Sequence, residues 1–405
     1  RSTLFPYTTL FRSGRRDMLQ TMGLAVLFLL VGRWIREKIS FFSKYCIPAP
    51  VIGGLIFAIF HLTLRQSGLG GFEFEETLKN FFMTIFFTSI GFNASFQTLK
   101  KGGLIVVKFL LVATLLAVFQ NIVAVILAPV VKVPPLLALM TGSTAMTGGH
   151  GTSGGIAPHV EALGIVGAET VALASATFGL LAGSMMGGPL ANRLITRFSL
   201  FDKKDSSNQG NILSDTVKVL KEEHLLSAFV HILIAMGLGV YVSGWISKTG
   251  LHFPGYIGAM LVAVVMRNIS DAGLYKSPMN EISTAGNIGL NLFLAEALMT
   301  MKLWQLADLA IPMVVLLAAQ CVITYLFVRF VTYYFMGHNY DSAVICAGHC
   351  GFGMGATANG MANMVSVCEK FSYSEQAFFV LPLVGALFID FTNVAQIEAF
   401  INFLK

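Results

Sequence analysis

The chain has 405 residues, of which 55% are hydrophobic and 12% charged, about half the ~25% charge usual in soluble proteins. Mean hydropathy is +0.73, and 34 residues are Phe. A soluble fold of this size needs more surface charge, and the apolar stretches are unbroken rather than alternating ~10-residue segments, so the expected class is an all-α polytopic membrane protein and not a β-barrel.

Residues 1–17 form a leader. Arg1, Arg12, Arg15 and Arg16 lie in it, supplying four of the formal net charge of +6. It lacks the apolar run of a signal peptide and resembles translated adapter sequence, so it is read as non-native-looking and set outside the fold. Without residues 1–16 the charge is +2, which leaves no nucleic-acid partner to expect.

Apolar runs predict spans near 18–32, 50–64, 81–97, 104–130 and 165–188, then, past a polar stretch at 191–224, near 225–246, 254–266, 284–301, 310–331 and 376–402. Two further apolar stretches, near 136–164 and 342–370, are dense in glycine and are expected to be re-entrant hairpins or broken helices. The ten transmembrane helices divide into an N-terminal repeat (18–190) and a C-terminal repeat (225–405), joined by a cytoplasmic loop (191–224) that contains the linker Phe201–Gly210. Gly149-His150-Gly151 recurs as Gly348-His349-Cys350, Ile52-Gly53-Gly54 echoes Ile257-Gly258-Ala259, and residues 86–106 overlay 292–313. Each half holds an odd number of spans, so the second enters the bilayer upside down, the inverted-repeat pattern of secondary transporters. With both termini outside, the inner loops hold sixteen Lys and Arg and the outer side ten, counting the leader arginines. The five cysteines (46, 321, 346, 350 and 368) are read as small packing residues.

Chemistry is expected where glycine interrupts the apolar runs. The first such stretch contains Thr147, Gly149, His150, Gly151, Thr152 and Ser153, and the second His349, Gly351, Gly353, Thr357 and Asn359. Glycine costs a helix about 1 kcal/mol against alanine, and unpaired backbone groups are costly in a membrane, so these stretches make sense where the backbone meets a solute. Two half-helices meeting there would offer N–H groups and a positive dipole end to an anion, with Thr152 or Ser153, and Thr357, as caps. Gly179, Gly183 and Gly187 are read instead as close helix packing. His150 and His349 are either hydrogen-bonding groups at the hairpin tips or satisfied structural histidines; Cys346, His349 and Cys350 make too small a set for a sealed zinc site. Asp390 lies within a span with Asn393 one turn on, an oxygen pair suited to Na⁺ or a buried pair at a helix interface. Glu296 is a less secure candidate, Glu169 is expected to cap its span, and Lys108 to snorkel. No Ser-His-Asp or paired-carboxylate arrangement can be argued at useful spacing, so no enzyme is expected.

Gly148-Gly149-His150-Gly151-Thr152 and Gly348-His349-Cys350-Gly351-Phe352-Gly353 resemble the bacterial sodium/glutamate symporter family, as do the runs at 45–54, 174–179 and 385–390. The resemblance extends from about residue 18 to the end. It implies a homodimeric inner-membrane carrier importing L-glutamate, with D-glutamate as an alternative, by alternating access of an elevator-like kind. Na⁺ is the implied coupling ion and no other cofactor or metal is implied; Asp390, Asn393, Thr177 and Asn363 are its expected ligands, and the glycine-rich stretches hold the substrate. Glu296 and the Ser153-Gly154-Gly155 run depart from the family pattern, which would alter coupling and substrate choice respectively. The residues alone equally admit a Na⁺-coupled carrier of another organic anion, such as citrate or a 2-hydroxy acid, and, in a different class, a passive channel.

Overall fold

A computed structural model describes residues 14–44, 47–68, 71–101, 103–200, 222–248, 254–306 and 309–405. Residues 1–13 of the leader, the linker Phe201–Gly210, most of the 191–224 loop and Cys46 lie outside the described residues. What is described is almost entirely helical. The end of the leader does take part in the structure: strand β1 (Gly14–Arg16) pairs parallel with β2 (Phe72–Phe74), and Asp17 caps the first helix by accepting from the Gln20 amide at 2.8 Å.

In chain order the first half contains α1 (Met18–Lys38), α2 (Ser40–Lys44), α3 (Ala49–Gln66), α4 (Thr77–Asn93), α5 (Phe96–Lys101), α6 (Gly103–Leu127), α7 (Pro135–Leu139), α8 (Gly149–Ala162) and α9 (Ala168–Arg197). The second half contains α10 (Glu222–Ser247), α11 (Tyr256–Asp271), α12 (Met279–Met299), α13 (Ala310–Phe327) and α14 (Tyr333–Phe335), the last two joined by a π-helical turn, Val328–Thr332. It continues with α15 (Tyr340–Gly353), α16 (Thr357–Lys370), α17 (Glu375–Leu383), a second π-helical turn (Val384–Phe388) and α18 (Ile389–Leu404).

Among the described residues, six helical stretches are long and apolar enough to cross a membrane: Met18–Lys38, Ala49–Gln66, Gly103–Leu127, Ala168–Arg197, Glu222–Ser247 and Ala310–Phe335. The other predicted spans fall on α4, α11, α12 and the final run. α4 and α11 have 17 and 16 residues, and α12 carries Glu281 and Glu296. The final run, expected near 376–402, is helical from Glu375 to Leu404 with the π-helical turn in its middle, and Pro382 and Gly385 lie beside or within that turn. Proline removes a helical hydrogen bond, and one-turn π segments absorb the resulting misfit.

The helices pack as two sets. In one, α4 lies against α11 and α12, α10 against α11, and α1 and α12 against α3. In the other, α9 packs on α8, α15 and α16, α6 on α13, and α17 and α18 on the same group. The second set has its own core, in which Phe109, Leu116, Tyr333, Phe352 and Leu381 are all buried. The two sets meet where Phe87 and Ile90 of α4 pack with Ile156 and Val160 of α8 and with Val394 and Ile397 of α18. Gly179, Gly183 and Gly187 of α9 lie flat on the backbone of α15 and the residue beyond it; a Cβ on Gly183 would stand 2.9 Å from the Cys350 carbonyl oxygen.

Lys79, counted by sequence among the outer-loop charges, is buried in the first turn of α4, with 1% of its side chain exposed. Its ammonium pairs with Glu76 at 2.7 Å and, across the two sets, with Glu169 of α9 at 3.1 Å. Glu169 therefore belongs to a buried charge cluster, beyond the capping role expected of it. Glu296 is also fully buried, on α12, beside the same cluster, where the charge and backbone N–H of Lys79 act on its carboxylate.

Candidate functional site

Both glycine-rich stretches are interrupted helices. The first begins at Pro134-Pro135, makes the short α7, runs through turns, and restarts as α8 at Gly149, whose φ of +57° is a conformation that favours glycine. The second stops at Gly353 and restarts at Thr357 after an extended Ala356. The interruptions touch: Thr147 Oγ1 lies 3.4 Å from the Gly353 carbonyl oxygen, and a Cβ on Gly149 would stand 2.8 Å from that of Gly355.

The predicted caps are not the ones present. Gly148 and Ala356 occupy the cap positions, with no side-chain hydrogen bond at either. Thr152 and Ser153 lie inside α8, where the Thr152 amide donates to the Gly148 carbonyl at 3.3 Å and Ser153 Oγ donates to the carbonyls of Thr144 and Ala172. Thr357 starts α16 and donates its hydroxyl to the Gly385 carbonyl at 2.5 Å. With no side chain capping them, the amides of Gly149, His150 and Gly151 in α8 and of Thr357 and Ala358 in α16 remain available, as helix geometry leaves them.

These helix ends border a cavity of about 490 Å³ between the two helix sets. Thr147, Gly149, His150, Gly151, Thr152, Thr357 and Asp390 line it, together with Gly355 and Ala356. The opposite wall belongs to the other set: Ser89 and Asn93 of α4, and Ser283 and Asn287 of α12. Among the described residues no Lys or Arg lines the cavity, and Asp390 is its one carboxylate. His150 Nε2 lies 3.0 Å from Thr177 Oγ1, whose own hydrogen goes to the Leu173 carbonyl. Thr177 can then only accept from the ring, which assigns the proton to Nε2 and leaves Nδ1 as the acceptor of the neutral imidazole.

Other predicted residues act from behind the wall. The Gly353 carbonyl, at a helix end without an intrahelical donor, accepts from Gln120 Nε2 at 2.7 Å, and Gln120 Oε1 accepts from Thr147 Oγ1 at 2.8 Å. His349 is fully buried between Phe109 and Phe352, with Nδ1 2.9 Å from Thr332 Oγ1. Gly351 abuts the backbone of Gly360, and Asn359 Nδ2 donates to the Leu180 carbonyl and Ser184 Oγ of α9. Of the residues expected to hold Na⁺, Asp390 lines the cavity, whereas the others do not. Asn363 Nδ2 donates to the carbonyls of Gly183 and Ala347, and Asn393 Nδ2 to that of Ser143 at 3.1 Å; Thr177 is on His150. Gly154 and Gly155 face the rings of Phe293 and Phe87, and Gly151 that of Phe86, so the Ser153–Gly155 departure bears on packing against the other set. Among the described residues no three His, Cys, Asp or Glu side chains form a metal-binding group, and Cys321, Cys346, Cys350 and Cys368 are free thiols.

Sequence reasoning missed the polar wall of Ser89, Asn93, Ser283 and Asn287 and the Gln120–Gln320 brace, in which Gln320 Nε2 donates to the Gln120 carbonyl at 2.9 Å. The brace had a signal: two amides within long apolar runs, 200 positions apart.

Uncapped helix ends from two broken helices, facing a solute-sized cavity between two packed helix sets, define a secondary membrane transporter. The comparisons agree with that class. The family model for the sodium/glutamate symporter matches residues 15–373. The sodium/glutamate symporter of Escherichia coli (strain K12) is 38% identical over 400 residues, 95% of this chain and 97% of the relative. That of Haemophilus influenzae is 36% identical over 391 residues, 94% and 96% of the two chains. A sodium proton antiporter structure from Methanocaldococcus jannaschii covers 95% of this chain and 98% of its own at 14% identity, with a TM-score of 0.43, too distant to add weight. The chain belongs to the sodium/glutamate symporter family.

Proposed function

We propose that the protein imports L-glutamate by coupling it to Na⁺ entry, and that the cavity is the substrate site. The observation carrying this reading is the pair of uncapped helix N-termini, α8 and α16, on one solute-sized cavity without a lysine or arginine. Backbone N–H groups and helix dipoles then supply the attraction for carboxylates.

The coupling ion sits where α18 meets the turn between α7 and α8. Ser143 Oγ, Thr144 Oγ1 and Gln396 Oε1 are buried there with no partner among the described residues, and Asn393 ties the turn to α18. Such oxygens suit a hard cation. Thr144→Val, which keeps the shape and removes the hydroxyl, is expected to raise the Na⁺ concentration for half-maximal uptake about tenfold, the scale of one lost charge-assisted contact. Unchanged Na⁺ dependence would move the ion elsewhere.

Transport proceeds by movement of the second helix set against the first, an elevator-like form of alternating access. Inverted repeats underlie it: α1 pairs with α3 as α10 pairs with α11, and α7–α8 corresponds to α15–α16. The polar wall lies at the α4 C-terminus and α12 N-terminus, the inner ends under the positive-inside rule, while the Lys79 cluster closes the outer end. We take the carrier to be a homodimer in the bacterial inner membrane, as the family resemblance implies, with both termini outside, as the positive-inside rule predicts. The test is uptake into proteoliposomes: labelled L-glutamate should accumulate only under an inward Na⁺ gradient, saturate, and yield to unlabelled glutamate but not to citrate. Equal accumulation without the gradient refutes symport, and flux that never saturates indicates a channel.

A further inference from the structure

Asp390 presents a carboxylate to the cavity, and among the described residues it takes part in no ion pair and no hydrogen bond reaches it. A carboxylate inside a membrane protein is costly unless a cation meets it. Among the described residues none comes from the protein, because no Lys or Arg shares the cavity wall. The cation must arrive with the transported solutes, either as Na⁺ or as the ammonium group of an amino acid.

The surroundings decide between these. A dehydrated Na⁺ needs several oxygens converging on one point. The oxygens nearest in sequence on α18 are already engaged: Thr392 Oγ1 donates to the Ile389 carbonyl at 3.1 Å, and Asn393 Oδ1 accepts from Gln396 Nε2 at 2.9 Å. Asp390 instead faces about 490 Å³ of solute space, bordered on the same wall by Thr357 and Gly385. That is room for an organic molecule, not a cage for an ion. The amides of Gly149–Gly151 and of Thr357 and Ala358 border the same space and attract carboxylates, which Asp390 repels. A ligand satisfying both must carry carboxylates and one ammonium.

We propose that Asp390 receives the α-ammonium of the substrate while its carboxylates take the N-termini of α8 and α16, so that this residue selects amino dicarboxylates against plain dicarboxylates of the same length. The inference rests on the glutamate reading above and specifies how that site discriminates.

The test uses glutarate, which is glutamate without its ammonium. Inhibition of labelled L-glutamate uptake in proteoliposomes should need about 10- to 100-fold more glutarate than unlabelled glutamate, the range of a charge-assisted hydrogen bond. Asp390→Asn should bring the two within about threefold, with Na⁺ half-saturation unchanged within about twofold, whereas Asp390→Glu, which keeps the charge, should retain most of the gap. Where Asp390→Asn carries too little to measure, the same two ligands are compared by the thermal shift they give the purified variant. The inference is overturned if glutarate and glutamate inhibit the wild type equally, or if Asp390→Asn keeps the gap. It is also overturned if Asp390→Asn raises the Na⁺ requirement and leaves the gap intact, which returns the carboxylate to the ion. A wild-type protein that accumulates no glutamate sinks the functional reading itself, a distinct result.

Discussion

Lys79→Met lowers the apparent stability of the purified protein by about 3–5 kcal/mol, the cost of removing one partner from a buried ion pair. The reason lies in what remains. Lys79 is the cation that Glu76 and Glu169 share, and both helix sets contribute to that contact. Without it, Glu169 is left as a carboxylate with 15% of its side chain exposed and no cation. Glu169→Gln removes a carboxylate while keeping Lys79 on Glu76, so its loss is smaller. Arg33→Ala is the contrast: its pair with Glu37 has 74% and 65% of the two side chains exposed, and such pairs contribute at most about 1 kcal/mol. The measurement is the melting temperature of each variant in detergent. A Lys79→Met protein melting with the wild type would show that the cluster carries no stability.

Gly179→Val abolishes glutamate uptake. A Cβ on Gly179 would overlap the Met354 carbonyl oxygen, part of the interruption between α15 and α16, and a β-branched side chain adds bulk beside Met146. Overpacking costs about 1–3 kcal/mol even where side chains can yield, and here the obstacle is backbone. The second helix would be displaced from α9, taking the Gly353 carbonyl off Gln120 and altering the cavity wall. Gly188→Val, on the same helix with nothing within 4 Å of its Cβ position, is expected to transport normally. Uptake and surface expression measured together separate lost transport from lost protein, and normal uptake by Gly179→Val would refute the packing argument.

Much of this organisation is legible in the sequence because a bilayer leaves few options. Long apolar runs become helices, and glycine-rich runs become interruptions, which is why Thr147–Thr152 and Thr357 could be singled out and do line the cavity. What sequence could not supply is the direction each polar side chain faces. Ser89 and Asn93, or Ser283 and Asn287, look like any hydroxyl or amide in an apolar run until α4 and α12 are turned toward the cavity. Asn359 and Asn363 show the converse: they lie in the right segment, and their side-chain amides donate to α9. Lys79 looked like a loop charge because its second partner, Glu169, is 90 residues away. The π-helical turn within the final span is invisible to hydropathy, which averages over Pro382 and Gly385, whose effect is on backbone hydrogen bonding and not on polarity.

The glycine face of α8 carries one more consequence. Helices normally seat side-chain ridges in a neighbour's grooves, and such packing permits a few discrete arrangements separated by steric barriers. Where Gly151, Gly154 and Gly155 meet the rings of Phe86, Phe293 and Phe87, α8 has no ridge to seat. In the elevator-like movement proposed above, sliding there would carry the rings over backbone free of side chains, so the contact would serve as a bearing surface and friction between the two helix sets would be concentrated where side chains do interlock.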